Sequence, residues 1–358
     1  MRRDIDEYVE QDFARVVLDE AQYIKNPLTQ VARAAKRLPA GVRFALTGTP
    51  IENRLSELWS IFDFLMPGLL GTRESFAKRF ESPVEHAEGD SAARLQALVS
   101  PFVLRRVKED VVADLPEKIE DTVMAQLTGE QRKLYLANQD RIAQQVQHRE
   151  AGEFKKDKLK VLAELTKLRQ ICCDPRLHYE DYKAGSAKLD TCMELVHGAL
   201  DGGHRILLFS QFTGTLDIIG KRLAREDIAF LKLTGASSKE SRAKMVAQFQ
   251  AGEVPVFLIS LKAGGVGLNL TAADVVIHYD PWWNVAAQDQ ATDRAHRIGQ
   301  QHTVTVYKLI AKDTIEERIM QMQESKRDLV NSVLGGDGIS SALFTREDVL
   351  ALLGGDGR

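Results

Sequence analysis

Apolar and polar positions change period several times along the 358 residues, and each change marks a boundary between elements. Near the amino end the run Val16-Val17-Leu18 closes on the paired acids Asp19-Glu20. That pattern predicts a strand over residues 13–21. Asn26 to Leu38 predicts a helix with Pro27 near its first turn. Arg43 to Thr47 predicts a second short strand, running into Gly48-Thr49-Pro50. Strand, helix, strand in about thirty-five residues is the spacing of a βαβ unit on a parallel sheet.

Residues 55–115 read as mostly amphipathic helix, interrupted near Pro67-Gly68 and around Ser82-Pro83. Arg105-Arg106-Val107-Lys108 then leads to Leu115-Pro116, a connector between domains. From Thr128 to about Cys173 the period is helical, with Leu159, Leu162, Leu165, Leu168 and Cys172 on one stripe. Lys155, Lys156, Lys158, Lys160, Lys167 and Arg169 fall mostly off that stripe, and a solvated face is expected ahead of phosphate contact.

Beyond Gly185 apolar runs alternate with helical stretches. Strands are predicted at 205–210, 229–233, 254–260, 272–279 and 302–310, with helices at 186–200, 213–226, 237–250, 285–296 and 313–334. Five strands in that rhythm predict a parallel α/β fold. The tail from Gly335 carries a short helix at 345–353 and is expected to be loosely attached or disordered.

Composition narrows the picture little. Hydrophobic residues at 44% and charged residues at 28% are those of an ordinary globular protein. No apolar run approaches the ~20 residues that span a bilayer. The opening MRRDIDEYVEQD is too acidic and polar for a signal peptide. A net charge of −3 argues against a surface coated in positive charge, while leaving room for local basic patches. Cys172, Cys173 and Cys192 lack the spacing of a disulfide framework or a zinc site. Free thiols in a reducing compartment, the cytoplasm, are expected.

Three strings hold candidate chemistry. Phosphoryl transfer from a nucleotide needs a phosphate cradle, magnesium, an acid that orients water, and cations for developing charge. Asp19 and Glu20 at a strand end suit the second and third needs, although acids also follow strands as plain loop boundaries. In Gln290 to Gln300, Arg294 and Arg297 lie three apart, so on a helix both guanidiniums leave one face and suit a polyphosphate. A pair of surface salt bridges is the bland alternative. In Ser260 to Leu270, glycines 264, 265 and 267 follow an apolar run and permit close backbone approach to a phosphate or ribose, or merely a tight turn.

Taken in order, these strings resemble the Swi/Snf family of DNA-translocating ATPases within helicase superfamily two. The likeness runs from about Ala14 to Gln300, and more loosely to about Leu334. LDEAQYIKN is similar to the family's motif II, and LTGTPIENRLSELWSIFDFLMPGLLG to motif III with its downstream signature. FVLRRVKEDVVADLPEK resembles the connector between lobes. LRQICCDPRL, ILLFSQFTGTLD, LISLKAGGVGLNLTAADVVIHYDPWWN and QATDRAHRIGQ resemble later elements in family order, in the compact spacing of bacterial and archaeal members.

The resemblance implies RecA-like parallel-sheet lobes with helical insertions. Residues 1–118 would be the remainder of the first lobe, and 119–334 a complete second lobe with an insertion at about 128–182. Residues 335–358 would be a tail. It implies ATP and magnesium as cofactors, with Asp19 on the metal and Glu20 activating water. Gln22 and the turn Thr47, Gly48, Thr49 would couple the γ-phosphate to DNA, with Gln290 assisting Arg294 and Arg297 as arginine fingers. Lys262, Gly264, Gly265, Gly267, Asn269 and Trp283 would lie at DNA or the interlobe cleft. The implied partner is duplex DNA, gripped by its backbone without reading sequence, and with it a DNA-bound complex such as RNA polymerase, in the nucleoid.

Departures from the family pattern temper this. Leu261 stands where a hydroxyl residue is usual, and Val285 where proline follows WWN, which predicts altered DNA coupling. The 358 residues contain no GxxxxGK[ST], and the segments that precede motif II are missing. The expectation is therefore the carboxyl-terminal part of a DNA-dependent ATPase. The alternative is a second-lobe module that binds DNA or a partner without hydrolysis. A strand-separating helicase fits less well. With only two strands of its sheet present, the first lobe is expected to expose apolar surface at 16–18 and 44–46.

Overall fold

The computed structural model describes residues 3–48, 55–81, 91–104, 106, 115–147, 151–264, 267–282, 285–321 and 346–354. The chain divides into two compact units. Residues up to Arg105 make up most of the first, and Arg106–Trp282 with Ala287–Met322 most of the second.

The first unit begins with a short helix α1 (Ile5–Val9) and strand β1 (Phe13–Leu18). Helix α2 (Gln30–Arg37) returns the chain to β2 (Ala40–Ala45), which pairs with β1 in parallel, Phe13 opposite Ala40 and Leu18 opposite Ala45. The helix starts four residues later than its apolar pattern predicts. Asn26 Oδ1 first accepts the Leu28 amide in a local turn, and Thr29 then caps the helix by accepting the Ala32 amide. On one face of the two-stranded sheet, Val16, Leu18 and Ala45 pack on Ile24, Ala32, Ala35, Ile61 and Phe64. The other face leaves Val17, Val42 and Phe44 about half exposed, together with Leu46 just beyond it, so of the stretches 16–18 and 44–46 expected to be exposed only alternate residues are.

Helix α3 (Leu55–Leu65) is fastened to the sheet by Arg43, which donates to Phe64 O and Leu38 O at 2.8 and 2.9 Å. Ser60 Oγ donates to Ile24 O at 2.7 Å from the same helix. Its far side joins a second apolar cluster, where Leu58, Trp59 and Phe62 meet Phe76, Phe80, Leu95 and Val99. These last come from α4 (Arg73–Phe76), the π-turn continuing it, and α5 (Ser91–Val99). The sequence break at Pro67-Gly68 is a turn in which Gly68 takes φ +90°. The break at Ser82-Pro83 lies outside the described residues.

The second unit is built on a six-stranded, all-parallel sheet among the described residues: β3 (Lys118–Ala125), β4 (Ile206–Ser210), β5 (Phe230–Leu233), β6 (Val256–Ser260), β7 (Val275–His278) and β8 (Val304–Ala311). Their spatial order is β3-β8-β7-β4-β6-β5. The count corrects the five strands read from the apolar runs. β3 escapes that reading because it is an edge strand, largely exposed and rich in charge (Lys118, Glu120, Asp121). By contrast β4, β6 and β7 are buried along their whole length and read as continuous apolar runs.

Helices α6 (Gly129–Gln147) and α7 (Ala151–Cys173) form the insertion, followed by α8 (Ala187–Asp201), α9 (Thr213–Arg225) and α10 (Lys239–Gln250). One core layer gathers Leu189, Val196, Ile206, Leu208, Leu216, Ile219 and Ile277. The other gathers Leu207, Phe209, Phe249, Phe257, Ile259, Val276 and Val306. The three cysteines are buried in the second unit, and burial pushes the Cys192 thiol up to about 12. The last helix, α11 (Arg346–Leu353), does not hang loose as its glycine-rich approach suggests. Val349, Leu352 and Leu353 are buried, and Gln139 and Arg318 donate to Leu353 O and Leu352 O.

Candidate active site

The carboxyl ends of β1 and β2 stay paired past the strands themselves. Leu46 N donates to Leu18 O at 2.8 Å, and Ala21 N donates to Leu46 O at 2.9 Å. Between these bonds Glu20 adopts a left-handed conformation, φ 52° and ψ 51°, which costs a non-glycine residue about 1 kcal/mol or more. The reversal ends the strand and opens a 3-10 turn, Ala21–Ile24. It also sets Gln22 beside Glu20. Gln22 Nε2 donates to Glu20 Oε2, and Gln22 Oε1 accepts from Thr47 Oγ1 at 2.8 Å. One amide therefore joins the two strand ends in a relay, Thr47 to Gln22 to Glu20. Asp19 is exposed, and its Oδ1 accepts the Glu20 amide at 2.9 Å. Gly48 follows Thr47 in an exposed bend, and Thr49 lies outside the described residues.

Asp19 is a hard oxygen donor open to solvent, and no group of three or more His, Cys, Asp or Glu suited to a metal occurs among the described residues. One carboxylate on an open strand end fits magnesium, which keeps much of its water and takes its remaining ligands from nucleotide phosphates.

In the second unit the helix read over 285–296 is shorter, and this changes how its arginines are held. The helix Val285–Thr292, carrying Gln290, stops at Thr292. Residues 293–299 continue as turns, with Ala295 N and His296 N both donating to Thr292 O and Gly299 at φ +101°. Arg294 and Arg297 therefore do not share a helical face. Arg294 is half-buried and Arg297 exposed. The turn is held instead from outside: Leu270 N donates to Arg294 O at 2.9 Å, and Gln300 Nε2 donates to Ala273 O at 2.7 Å. The cause is tertiary: Arg294 O and the Gln300 amide are engaged by residues 270 and 273, which local helical spacing does not register.

The glycine-bearing string runs from the end of β6 through a helical turn, Leu261–Gly264. Leu261 is buried in the core layer with Phe257 and Ile259, which accounts for an apolar residue there. Gly267 takes φ +37°, the region that favours glycine, and Asn269 is exposed. Gly265, Trp283 and the side chain of Lys262 lie outside the described residues, while Gly264 ends the helical turn.

Several polar residues near these strings carry no signal in the sequence pattern. Arg169, placed on a solvated face by helical period, is 2% exposed, donates to Pro281 O and lies over the Phe212 ring. Asp280, fully buried after β7, accepts from Ser210 Oγ and, at 3.3 Å, from Gln211 N after β4. Burial raises the Asp280 carboxyl above its usual range, with Arg169 and Ser210 pulling the other way. β4 is where the strand order changes direction, with β6 and β5 on one side and β7 and β8 on the other. Carboxyl ends at such a reversal are where open α/β sheets place ligands. Lys188 and Glu316 form a wholly buried pair at 2.6 Å beneath. His278, at the end of β7, meets Thr292 Oγ1 at 2.8 Å and stacks on Phe209; burial drives it down to about 3. Only the break in the 3.6 period at Arg169, a charge among Leu165, Leu168 and Cys172, hints at any of this.

Known proteins resemble this chain over most of its length. The SNF2-related domain matches residues 1–177, and the helicase conserved C-terminal domain matches residues 187–299. An ATP-dependent helicase of Mycoplasma pneumoniae, described as uncharacterized, is 40% identical over 353 residues, covering 98% of this chain and 34% of that protein. Human TATA-binding protein-associated factor 172 is 34% identical over 414 residues, covering 98% of this chain and 22% of its own length. The chain thus spans about a third or less of these relatives. The SWI2/SNF2 ATPase core of Sulfolobus solfataricus in complex with dsDNA superposes with a TM-score of 0.54 at 37% identity, over 93% of this chain and 72% of that one. The chain thus belongs to the Swi/Snf family of helicase-like ATPases, with that family's RecA-like core.

Proposed function

We propose that the chain is the carboxyl-terminal part of an ATP-dependent duplex-DNA translocase, which hydrolyses ATP to move along DNA and displace or remodel bound protein. The relay from Thr47 through Gln22 to Glu20 carries this reading. It joins a water-orienting acid to the neighbouring strand end, where a hydroxyl can respond to the phosphate being lost. Gln22 fixes one oxygen of Glu20 and leaves Oε1 to take a proton from the attacking water. Asp19 would hold magnesium through its exposed carboxylate. The metal, bound with ATP, neutralises charge on the phosphates. Arg294 and Arg297, with Gln290, would stabilise the negative charge that develops on them. Lys262, Gly264, Gly265, Gly267, Asn269 and Trp283 would contact DNA or line the cleft. The Sulfolobus core bound to dsDNA supports duplex DNA as the partner.

The test is ATP hydrolysis with and without duplex DNA, on residues 1–358 and on a chain extended upstream. The extended chain is expected to hydrolyse ATP in a duplex-stimulated manner and to lose at least about a hundredfold in Glu20→Gln. Residues 1–358 are expected to show none above background. Hydrolysis by 1–358 that disappears in Glu20→Gln would overturn the need for an upstream phosphate cradle. The lack of any GxxxxGK[ST] in the sequence favours a second reading, a DNA- or partner-binding module without hydrolysis. An extended chain that binds duplex but stays inactive would establish it.

A further inference from the structure

Among the described residues, three hydrogen bonds tie the arginine turn to other parts of the chain, and one of them differs in kind. Two return to the residues that follow the glycine-bearing string: Leu270 N to Arg294 O, and Gln300 Nε2 to Ala273 O. Gln300 uses its whole amide, since Nε2 also donates to Ala295 O while Oε1 accepts from Gln301 N and His302 N. The third attachment reaches a distant part of the chain. His296, only 7% exposed, meets Pro116 O through Nε2 at 2.8 Å.

Pro116 lies where the segment that follows Arg105 reaches the sheet. The next carbonyl, Glu117 O, accepts from Val304 N at 3.0 Å, and β3 then pairs with β8 from Lys118 opposite Val304. Two successive carbonyls are therefore committed. One is held by the sheet and the other by the arginine turn. A carbonyl accepts from imidazole only through an N–H, and Nε2 can carry that proton in the neutral and the charged ring. His296 is buried and Pro116 half-buried, so parting them gives up a hydrogen bond that water only partly replaces, at a cost of about a factor of ten in the equilibrium that holds the turn.

We propose that His296 is a positioning residue. It latches the turn that bears Arg294 and Arg297 to Pro116, two residues before β3, so that this attachment sets where the arginines stand. This rests on the hydrolytic reading above, because the latch matters to turnover only if the arginines act on the phosphates. His296 touches neither substrate nor metal in this scheme. Its loss should reduce kcat without altering the KM for ATP.

The experiment compares His296→Leu, His296→Gln and Arg297→Ala in the full-length natural chain containing these residues. Duplex-stimulated turnover and hydrogen exchange at the Leu270 amide, which reports on Arg294 O, are both measured. His296→Leu is expected to lose about tenfold in kcat with KM within twofold, and to speed exchange at Leu270 by a similar factor. His296→Gln, whose amide nitrogen can donate at comparable reach, is expected to recover most of both. Turnover in His296→Leu equal to the natural chain, with Arg297→Ala inactive, would overturn the latch and leave the arginine reading standing. Equal loss in the Leu and Gln variants, matched by equal loss of melting temperature, would reduce His296 to a structural role and also overturn it. Full activity in Arg297→Ala would remove the arginine reading and the latch with it. If His296→Leu fails to fold, unchanged exchange at Leu270 in His296→Ala would count against the proposal.

Discussion

His278 is a titratable group held neutral where water cannot reach it. Its folded value near 3 lies far below the usual 6.5, so between those limits the unfolded chain binds more protons than the folded one. Stability from this residue is complete above about pH 6.5 and is lost as pH falls toward 3. Glu120 behaves similarly at lower pH. Burial opposes its charge, but hydrogen bonds from Lys118 and Lys308 hold the carboxyl at about 2, so its contribution begins to fade only below about pH 4.5. Between pH 6.5 and 4.5, denaturant unfolding midpoints of the second unit should therefore fall with pH, and His278→Asn should flatten that slope. An unaltered slope in the variant would assign the pH dependence elsewhere.

Elements show best what sequence makes legible. Continuous apolar runs mark β4, β6 and β7 because both faces of those strands are covered, and the flanking helices follow from period alone. The relay among Glu20, Gln22 and Thr47 is half visible: the residue types stand in the strings, but their joining depends on the left-handed turn at Glu20. The burial of Arg169 and Asp280 is not visible, because Arg169 finds Pro281 O and Asp280 finds Ser210 only when α7 and the ends of β4 and β7 come together in the fold. Arg169→Met should destabilise the second unit by about 1–3 kcal/mol, since Pro281 O loses its buried donor and Asp280 loses a nearby positive charge that opposes its burial. A double variant with Asp280→Asn should recover part of that loss. Equilibrium unfolding in denaturant reads both changes.

At the scale of the molecule, the two units differ in how well they cover their sheets. The second has a core layer on each face of six strands. The first has two strands and one covered face among the described residues, with Val17, Val42 and Phe44 open on the other. Limited proteolysis of residues 1–358 should leave a stable product that begins near 119 and digest the amino-terminal part. A stable 1–115 product with the remainder digested would contradict this. The open apolar face also predicts self-association that weakens in Val17→Ser/Phe44→Thr, measured by sedimentation.

Strand β3 carries a further consequence, in the order of synthesis. Its partner in the sheet is β8, and the paired positions Lys118 and Val304 are 186 residues apart (304 less 118). At ribosomal rates of about 5–20 residues per second, β3 waits roughly 10–40 s after it emerges before its partner exists. An apolar strand left unpaired for that long would find other edges. Lys118, Glu120 and Asp121, the same charges that hide β3 from a hydrophobic reading, let it wait in water.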